Sequence, residues 1–130
     1  MNFTKIKETC IYVADLELIK TFYNEVLNLD IINYDEGKHL FFKAGQSVLL
    51  FFNPEDSKSK TSPPGHYAKG KQHFAFEVPA AEYEAAKSEI SKKGITITDT
   101  VKWPGGVESF YFEDPAGNVV EIVPDKGMWD

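Results

Sequence analysis

The segments KETCIYVA at residues 7–14 and QHFAFEV at residues 72–78 decide the fold, because each opens the same succession of elements. In both segments the spacing of apolar residues is typical of a strand. Each is followed by a stretch with apolar residues at helical spacing. These stretches predict helices at 15–27, with Asp15 as the N-cap, and at 80–93. The sequence therefore predicts a duplicated plan.

Three short strands are expected after each helix, bounded by Gly, Asp and Pro turns. They are predicted at 29–34, 38–43, 46–53, 95–101, 108–113 and 118–123. A stretch rich in Ser, Lys, Pro and Gly separates the halves and is expected to form a linker or lid loop. The predicted fold class is α+β, with two βαβββ modules in one domain. The predicted boundaries are module one at 1–54, the linker at 55–70 and module two at 71–130.

Composition narrows the classes of partner. A net charge of −6 and a pI near 5.1 argue against a nucleic-acid partner, since such binders need a basic surface. Arginine is absent, which excludes a substrate held by a guanidinium fork. With one cysteine, no leader at the start of the chain and no apolar run of about 20 residues, a cytoplasmic location without membrane contact is expected.

Three residues predict a metal site. When the halves are superposed, Glu8 falls on His73, so the two side chains occupy equivalent points of the two first strands. Glu121 lies in an apolar run, where an unpaired carboxylate is costly and needs a proton, a partner or a metal. Each residue alone has an ordinary explanation as a surface or core residue. Together they offer two carboxylates and an imidazole, the donor set of a catalytic metal site with open positions.

When Gly45 is aligned with Gly117 near the ends of the halves, Leu49 falls on Glu121, so the first half is expected to lack the corresponding carboxylate. Cys10 and Tyr12 share a strand face with Glu8, and Ser109 and Tyr111 share another. His66, in the Pro/Gly loop, is a candidate acid or base, and His39 superposes on Ser109. The predicted catalytic residues are Glu8, Tyr111 and Glu121. The predicted substrate-binding residues are Cys10, Tyr12, His66, Ser109 and Tyr111.

The sequence resembles the glyoxalase, bleomycin-resistance and extradiol-dioxygenase superfamily, also called the vicinal oxygen chelate proteins. The segments that support this resemblance are Val13-Ala14-Asp15-Leu16, Phe22-Tyr23, Val26-Leu27, His73-Phe74-Ala75-Phe76 and Ser109 to Asn118 leading to Glu121. The resemblance implies that paired modules form an incomplete, cupped β-barrel around a metal, with helices outside, usually in a homodimer. It also implies Glu8, His73 and Glu121 as ligands, with Glu8 at a position that is normally histidine.

Glutamate in place of histidine at position 8 favours manganese, iron(II) or magnesium as the metal, and zinc and nickel stay possible. The activity stays open. Leucine in place of a fourth ligand disfavours a glyoxalase, and a single histidine disfavours a dioxygenase. The function expected is Lewis-acid catalysis on a small oxygen-chelating substrate, as a lyase, isomerase or dioxygenase. The alternatives are a metal-free protein that sequesters an aromatic drug, and a thiol transferase of the fosfomycin-resistance type in which Cys10 takes part.

Overall fold

The computed structural model describes residues 1–130 and contains two compact units, residues 1–70 and residues 71–130. Each unit has a strand, a helical segment and three further strands in that order. The α+β class and the two βαβββ modules are therefore confirmed. No helix is long and apolar enough to cross a lipid bilayer.

The first unit is a four-stranded sheet with one face covered by helix. The order is β1-β4-β3-β2, with β1 parallel to β4 and the other pairs antiparallel. Its core contains side chains without solvent exposure, including Ile19, Tyr23, Leu40, Phe42 and Phe51. Its elements are β1 (Glu8–Tyr12), α1 (Leu16–Lys20), a π-helical segment (Thr21–Val26), β2 (Ile31–Asp35), β3 (His39–Ala44), β4 (Ser47–Phe52) and α2 (Pro54–Ser57).

Asp15 caps α1 as predicted, because its carboxylate accepts the Leu18 N–H at 3.1 Å. The helix then widens into a π-helical segment whose last bond runs from the Leu27 N–H to the Phe22 carbonyl oxygen at 3.0 Å. It ends at Asn28, which has a left-handed φ of 62°. The predicted linker loop begins with the short helix α2, because Asn53 accepts the Glu55 N–H at 3.1 Å.

The second unit repeats the plan with the sheet order β5-β8-β7-β6. Its sixth strand is shorter than the predicted 95–101. The Ile95 N–H still donates to the Ile90 carbonyl oxygen at the end of the helix, and pairing with Tyr111 begins at the Thr98 N–H, one residue before the strand. The elements are β5 (His73–Val78), a 3-10 turn (Ala80–Glu82), α3 (Tyr83–Lys92), β6 (Asp99–Lys102), β7 (Glu108–Glu113) and β8 (Val119–Pro124).

The strand registers correct one expectation from the sequence. In the first unit Cys10 pairs with Leu50, and in the second Ala75 pairs with Glu121. Cys10 and Ala75 are themselves equivalent, so the counterpart of Glu121 is Leu50, and the predicted Leu49 is wrong. A shift of one residue moves a side chain to the opposite face of a strand.

The difference of one residue between Leu49 and Leu50 comes from the hairpins, which differ in length. Between β3 and β4 two residues intervene, Gly45 and Gln46, whereas five residues, 114–118, intervene between β7 and β8. Gly45 and Gly117 therefore lie at different points of their turns, and an alignment that pairs them shifts the following strands by one residue.

Candidate metal and substrate site

Glu121 is a buried carboxylate in the middle of β8. Its neighbours Val120 and Ile122 are buried, and the Glu121 side chain is 7% exposed. Its Oε1 atom has no hydrogen-bond partner. Leaving a buried acceptor unsatisfied costs about 1–3 kcal/mol, and more for a charged group. The position therefore requires a partner that protein atoms do not supply to Oε1.

His73, on the adjacent strand β5, faces this carboxylate. Its Nε2 lies 3.2 Å from Glu121 Oε2, and its Nδ1 lies 3.0 Å from the Val119 carbonyl oxygen. A carbonyl oxygen only accepts, so Nδ1 carries the proton and the Nε2 of the neutral imidazole is bare. In this neutral form two lone pairs face each other across 3.2 Å, whereas a proton on Nε2 would make the contact an ion pair. This arrangement accepts a proton or a cation between the two side chains.

Tyr111 and Ser109 lie next to this pair on β7, as the sequence predicted for residues sharing one face. Tyr111 is directly opposite Glu121 in the strand register. Burial raises the pKa of Tyr111, a hydrogen bond with the Ser109 hydroxyl lowers it, and a hydrogen bond to the Glu121 carboxylate raises it further. Tyr111 therefore keeps its proton at neutral pH and can donate a hydrogen bond.

Trp103 was not predicted as a functional residue. Its indole N–H donates to Ser109 Oγ at 2.9 Å, and Ser109 is fully buried. Trp103 is held by a tight turn in which its backbone N–H donates to the Val107 carbonyl oxygen at 2.8 Å. The sequence Trp103-Pro104-Gly105-Gly106 shows the turn, but not that the indole would reach Ser109.

In the first unit, Glu8, Cys10 and Tyr12 alternate along β1 and so share one face. Glu8 is exposed and Cys10 is partly buried. Burial raises the pKa of Cys10, and the charge of Glu8 raises it further. Little thiolate is therefore present at neutral pH, which disfavours Cys10 as a nucleophile.

The predicted loop histidine, His66, lies against the same face. Its Nδ1 is 2.5 Å from the Tyr12 hydroxyl oxygen, and its ring meets Phe52 edge to face with 4.7 Å between centroids. His39 also lies on this face, where it stacks on Phe41 at 4.3 Å. The first unit thus presents an aromatic face that contains two imidazoles.

The three predicted metal ligands are divided between the units, with Glu8 in the first and His73 and Glu121 in the second. Neither unit contains by itself three or more His, Cys, Asp or Glu side chains grouped to hold a metal ion. The pair in the second unit nevertheless fits a cation, because it combines a bare imidazole nitrogen with a buried, unsatisfied carboxylate oxygen.

The comparisons with known proteins agree with the fold described above. Residues 5–122 match the profile of the Glyoxalase/Bleomycin resistance protein/Dioxygenase superfamily. The chain is similar to the crystal structure of a lactoylglutathione lyase from Agrobacterium tumefaciens, with 34% identity, a TM-score of 0.90 and 98% of each chain covered. It is 25% identical over 126 residues to a virulence protein of Salmonella typhimurium, covering 94% of this chain and 85% of that protein.

A fosfomycin resistance protein from Listeria monocytogenes shares the fold at 19% identity and a TM-score of 0.66, with 94% of this chain and 90% of that chain covered. The crystal structure of a mutant of that protein is a complex with Mn(II) and 1S,2S-dihydroxypropylphosphonic acid.

Proposed function

Because this chain belongs to the Glyoxalase/Bleomycin resistance protein/Dioxygenase superfamily, we propose that it is a metal-dependent enzyme. It acts by Lewis-acid catalysis on a small substrate whose neighbouring oxygens chelate the cation. The observation that supports this most directly is the pair of His73 and Glu121. A bare Nε2 lies 3.2 Å from one carboxylate oxygen, while the other oxygen is buried without a partner. A bound cation would satisfy both side chains.

In this proposal His73 Nε2 and the Glu121 carboxylate hold the ion, and Glu8 supplies the third ligand. Support for Glu8 comes from the register. Glu8 opposes Val48 in the first sheet as His73 opposes Val119 in the second, so the two are equivalent in the duplicated modules. Two carboxylates offset the charge of a divalent ion. They favour manganese, iron(II) or magnesium, with zinc and nickel as further candidates.

The metal ion and the protein side chains have different roles in the proposed reaction. A bound divalent ion would polarise a substrate oxygen and stabilise the negative charge that develops on it. Tyr111, which keeps its proton, transfers its hydrogen bond from Glu121 to a substrate oxygen, and the hydrogen bond with Ser109 fixes the position of the Tyr111 hydroxyl. A carboxylate oxygen of Glu8 or Glu121 receives the proton that the substrate releases. The reaction is of the lyase, isomerase or dioxygenase type.

Metal analysis tests this proposal. Wild-type protein and His73→Ala are purified without chelator and analysed by inductively coupled plasma mass spectrometry. We expect a stoichiometric divalent metal in the wild type and a large loss in the variant. Glu84→Gln, a change at an exposed residue of α3 in the same unit, serves as the control and should keep its metal. Equal metal content in the wild type and His73→Ala would remove the proposed site.

One observation favours a second function, the sequestration of an aromatic drug by metal-free protein. The first unit exposes part of an aromatic face on which Tyr12, Phe41 and Phe52 lie close together. Aromatic binding that is unaffected by EDTA, in protein without stoichiometric metal, would support sequestration. Thiol transfer is disfavoured by the raised pKa of Cys10, and retention of turnover by Cys10→Ala would dismiss a role for that thiol.

We further propose that the protein is a cytoplasmic homodimer whose partner is a small molecule, with neither nucleic acid nor membrane as a partner. The two modules are proposed to act as one domain. The resemblance to the family supports the dimer, and the net charge of −6 supports the absence of a nucleic-acid partner. Analytical ultracentrifugation tests the dimer directly.

A further inference from the structure

His66 is held in place by several independent contacts although it lies in a loop. Its backbone N–H donates to the Ser57 carbonyl oxygen at 3.2 Å, and its own carbonyl oxygen accepts the Ser57 hydroxyl at 2.7 Å. Ser57 is 2% exposed. The preceding residue, Gly65, approaches the end of α2 so closely that a Cβ atom there would lie 2.7 Å from the carbonyl oxygens of Lys58 and Lys60. The loop is therefore fixed at the point where it presents the imidazole.

The imidazole is also fixed in rotation. Phe52 meets the ring edge to face, and the Tyr12 hydroxyl lies 2.5 Å from Nδ1. Burial raises the pKa of Tyr12, and Cys10 adds to this effect, so the phenol keeps its proton. A phenol that keeps its proton can donate to Nδ1 at this distance, with Nδ1 as the acceptor. The proton of the neutral imidazole then resides on Nε2, which makes Nε2–H a hydrogen-bond donor.

We propose that Tyr12 and His66 form a fixed pair in which Tyr12 positions His66, and His66 donates a hydrogen bond from Nε2 to an oxygen of the substrate. The side chains of Glu8, Cys10 and Tyr12 share the face on which His66 rests, and His39 lies beyond Phe52. The substrate class is an aromatic or conjugated compound with neighbouring oxygens. Its ring packs on the aromatic face, and one oxygen bears enough negative charge to accept the bond. That a metal ion binds the second substrate oxygen is part of the proposed function, on which this inference rests.

The pair itself is tested by the nitrogen chemical shifts of the histidine rings, recorded at pH 8. Long-range 15N–1H spectra of uniformly labelled protein distinguish the two tautomers, and the loss of signals in His66→Gln assigns them. We expect the Nε2–H tautomer for His66, and a shift of its Nδ1 signal in Tyr12→Phe. His73 is the internal contrast, because its Nδ1 donates to a carbonyl oxygen and its tautomer should be the opposite one and unchanged.

The contact with substrate is tested with 4-nitrocatechol as the probe, an aromatic compound with two neighbouring oxygens and a visible spectrum that responds to ionisation. Binding is measured with and without Mn(II) for the wild type, His66→Gln and Tyr12→Phe. Losing one hydrogen bond to a charged oxygen should weaken binding about tenfold in His66→Gln, and losing its positioning should weaken binding about threefold in Tyr12→Phe. Mn(II) affinity should be the same in all three proteins.

Two controls separate this contact from general damage to the loop. Tyr67→Phe alters an exposed neighbour in the same loop and should bind as the wild type does. Gly65→Ala leaves both members of the pair intact, yet should weaken nitrocatechol binding because the new Cβ displaces the loop. The proposal is overturned if the wild type does not bind the probe under either condition, if His66→Gln binds as the wild type does, or if His66 has the Nδ1–H tautomer. A wild type that binds the probe but no Mn(II) would overturn the proposed function alone.

Discussion

Glu121→Gln tests how the charge of Glu121, as distinct from its packing, affects the stability of the protein. The substitution preserves the shape of the side chain and removes its charge. In the metal-free protein the Nε2 atom of His73 faces a carboxylate oxygen at 3.2 Å and carries no proton in the neutral tautomer, and Oε1 has no partner. The glutamine amide can donate an N–H to Nε2, which replaces two opposed lone pairs with a hydrogen bond. We therefore expect the metal-free variant to be more stable than the metal-free wild type.

The magnitude follows from the one hydrogen bond that is gained, about 1 kcal/mol net, because the amide oxygen stays at the position of Oε1 without a partner. For a chain of this size, 1 kcal/mol corresponds to roughly 3–5 °C in Tm. Glu121→Gln in EDTA should therefore melt at least about 3 °C above the wild type. In the presence of metal the wild type should melt above the variant. A cation at 100 times its Kd stabilises the wild type by about 2.7 kcal/mol, or roughly 10 °C. The variant, which lacks one anionic ligand, should respond little.

Thermal unfolding followed by circular dichroism at pH 8.5 checks both halves of this prediction, first in EDTA and then with increasing Mn(II). Glu84→Gln, on the exposed surface of α3, controls for the change of net charge and should follow the wild type throughout. A metal-free Glu121→Gln that melts below the wild type would refute the interpretation of the buried carboxylate. An equal Mn(II) response in both proteins would refute its role as a ligand.

Three further outcomes are expected. Asp15→Ala should lower the free energy of unfolding by about 1 kcal/mol in urea titrations, because the first turn of α1 loses its cap. Leu49→Glu and Leu50→Glu should both destabilise metal-free protein, but Mn(II) should rescue only Leu50→Glu, whose carboxylate would share a face with the one at the start of β1. The Lys87 ammonium lowers the pKa of Glu108 by a hydrogen bond, so this contact stabilises the fold above the usual carboxyl pKa of 4.5. In urea titrations Lys87→Met should therefore have a lower free energy of unfolding than the wild type at pH 7, and this difference should shrink as the pH falls below 4.5. A difference of the same size at pH 3.5 would contradict this.

The sequence by itself determined the duplicated βαβββ plan. Apolar spacing with period 2 or 3.6 is a local property, and in this chain caps and turns such as Asp15 and Gly94 mark element ends. It also identified Glu121 as a residue that needs a partner, because an acidic residue in an apolar strand is costly wherever the strand packs.

Only the tertiary structure decided which atoms meet. Register depends on the hairpins, so only paired strands showed that Leu50, rather than Leu49, corresponds to Glu121. The tautomer of His73 depends on a carbonyl oxygen 46 residues away in sequence, at Val119. The position of His66 depends on Ser57 and Tyr12, which no local pattern connects to it. Side-chain direction and hydrogen-bond partner are properties of packing between distant segments, and chemistry at a site depends on both.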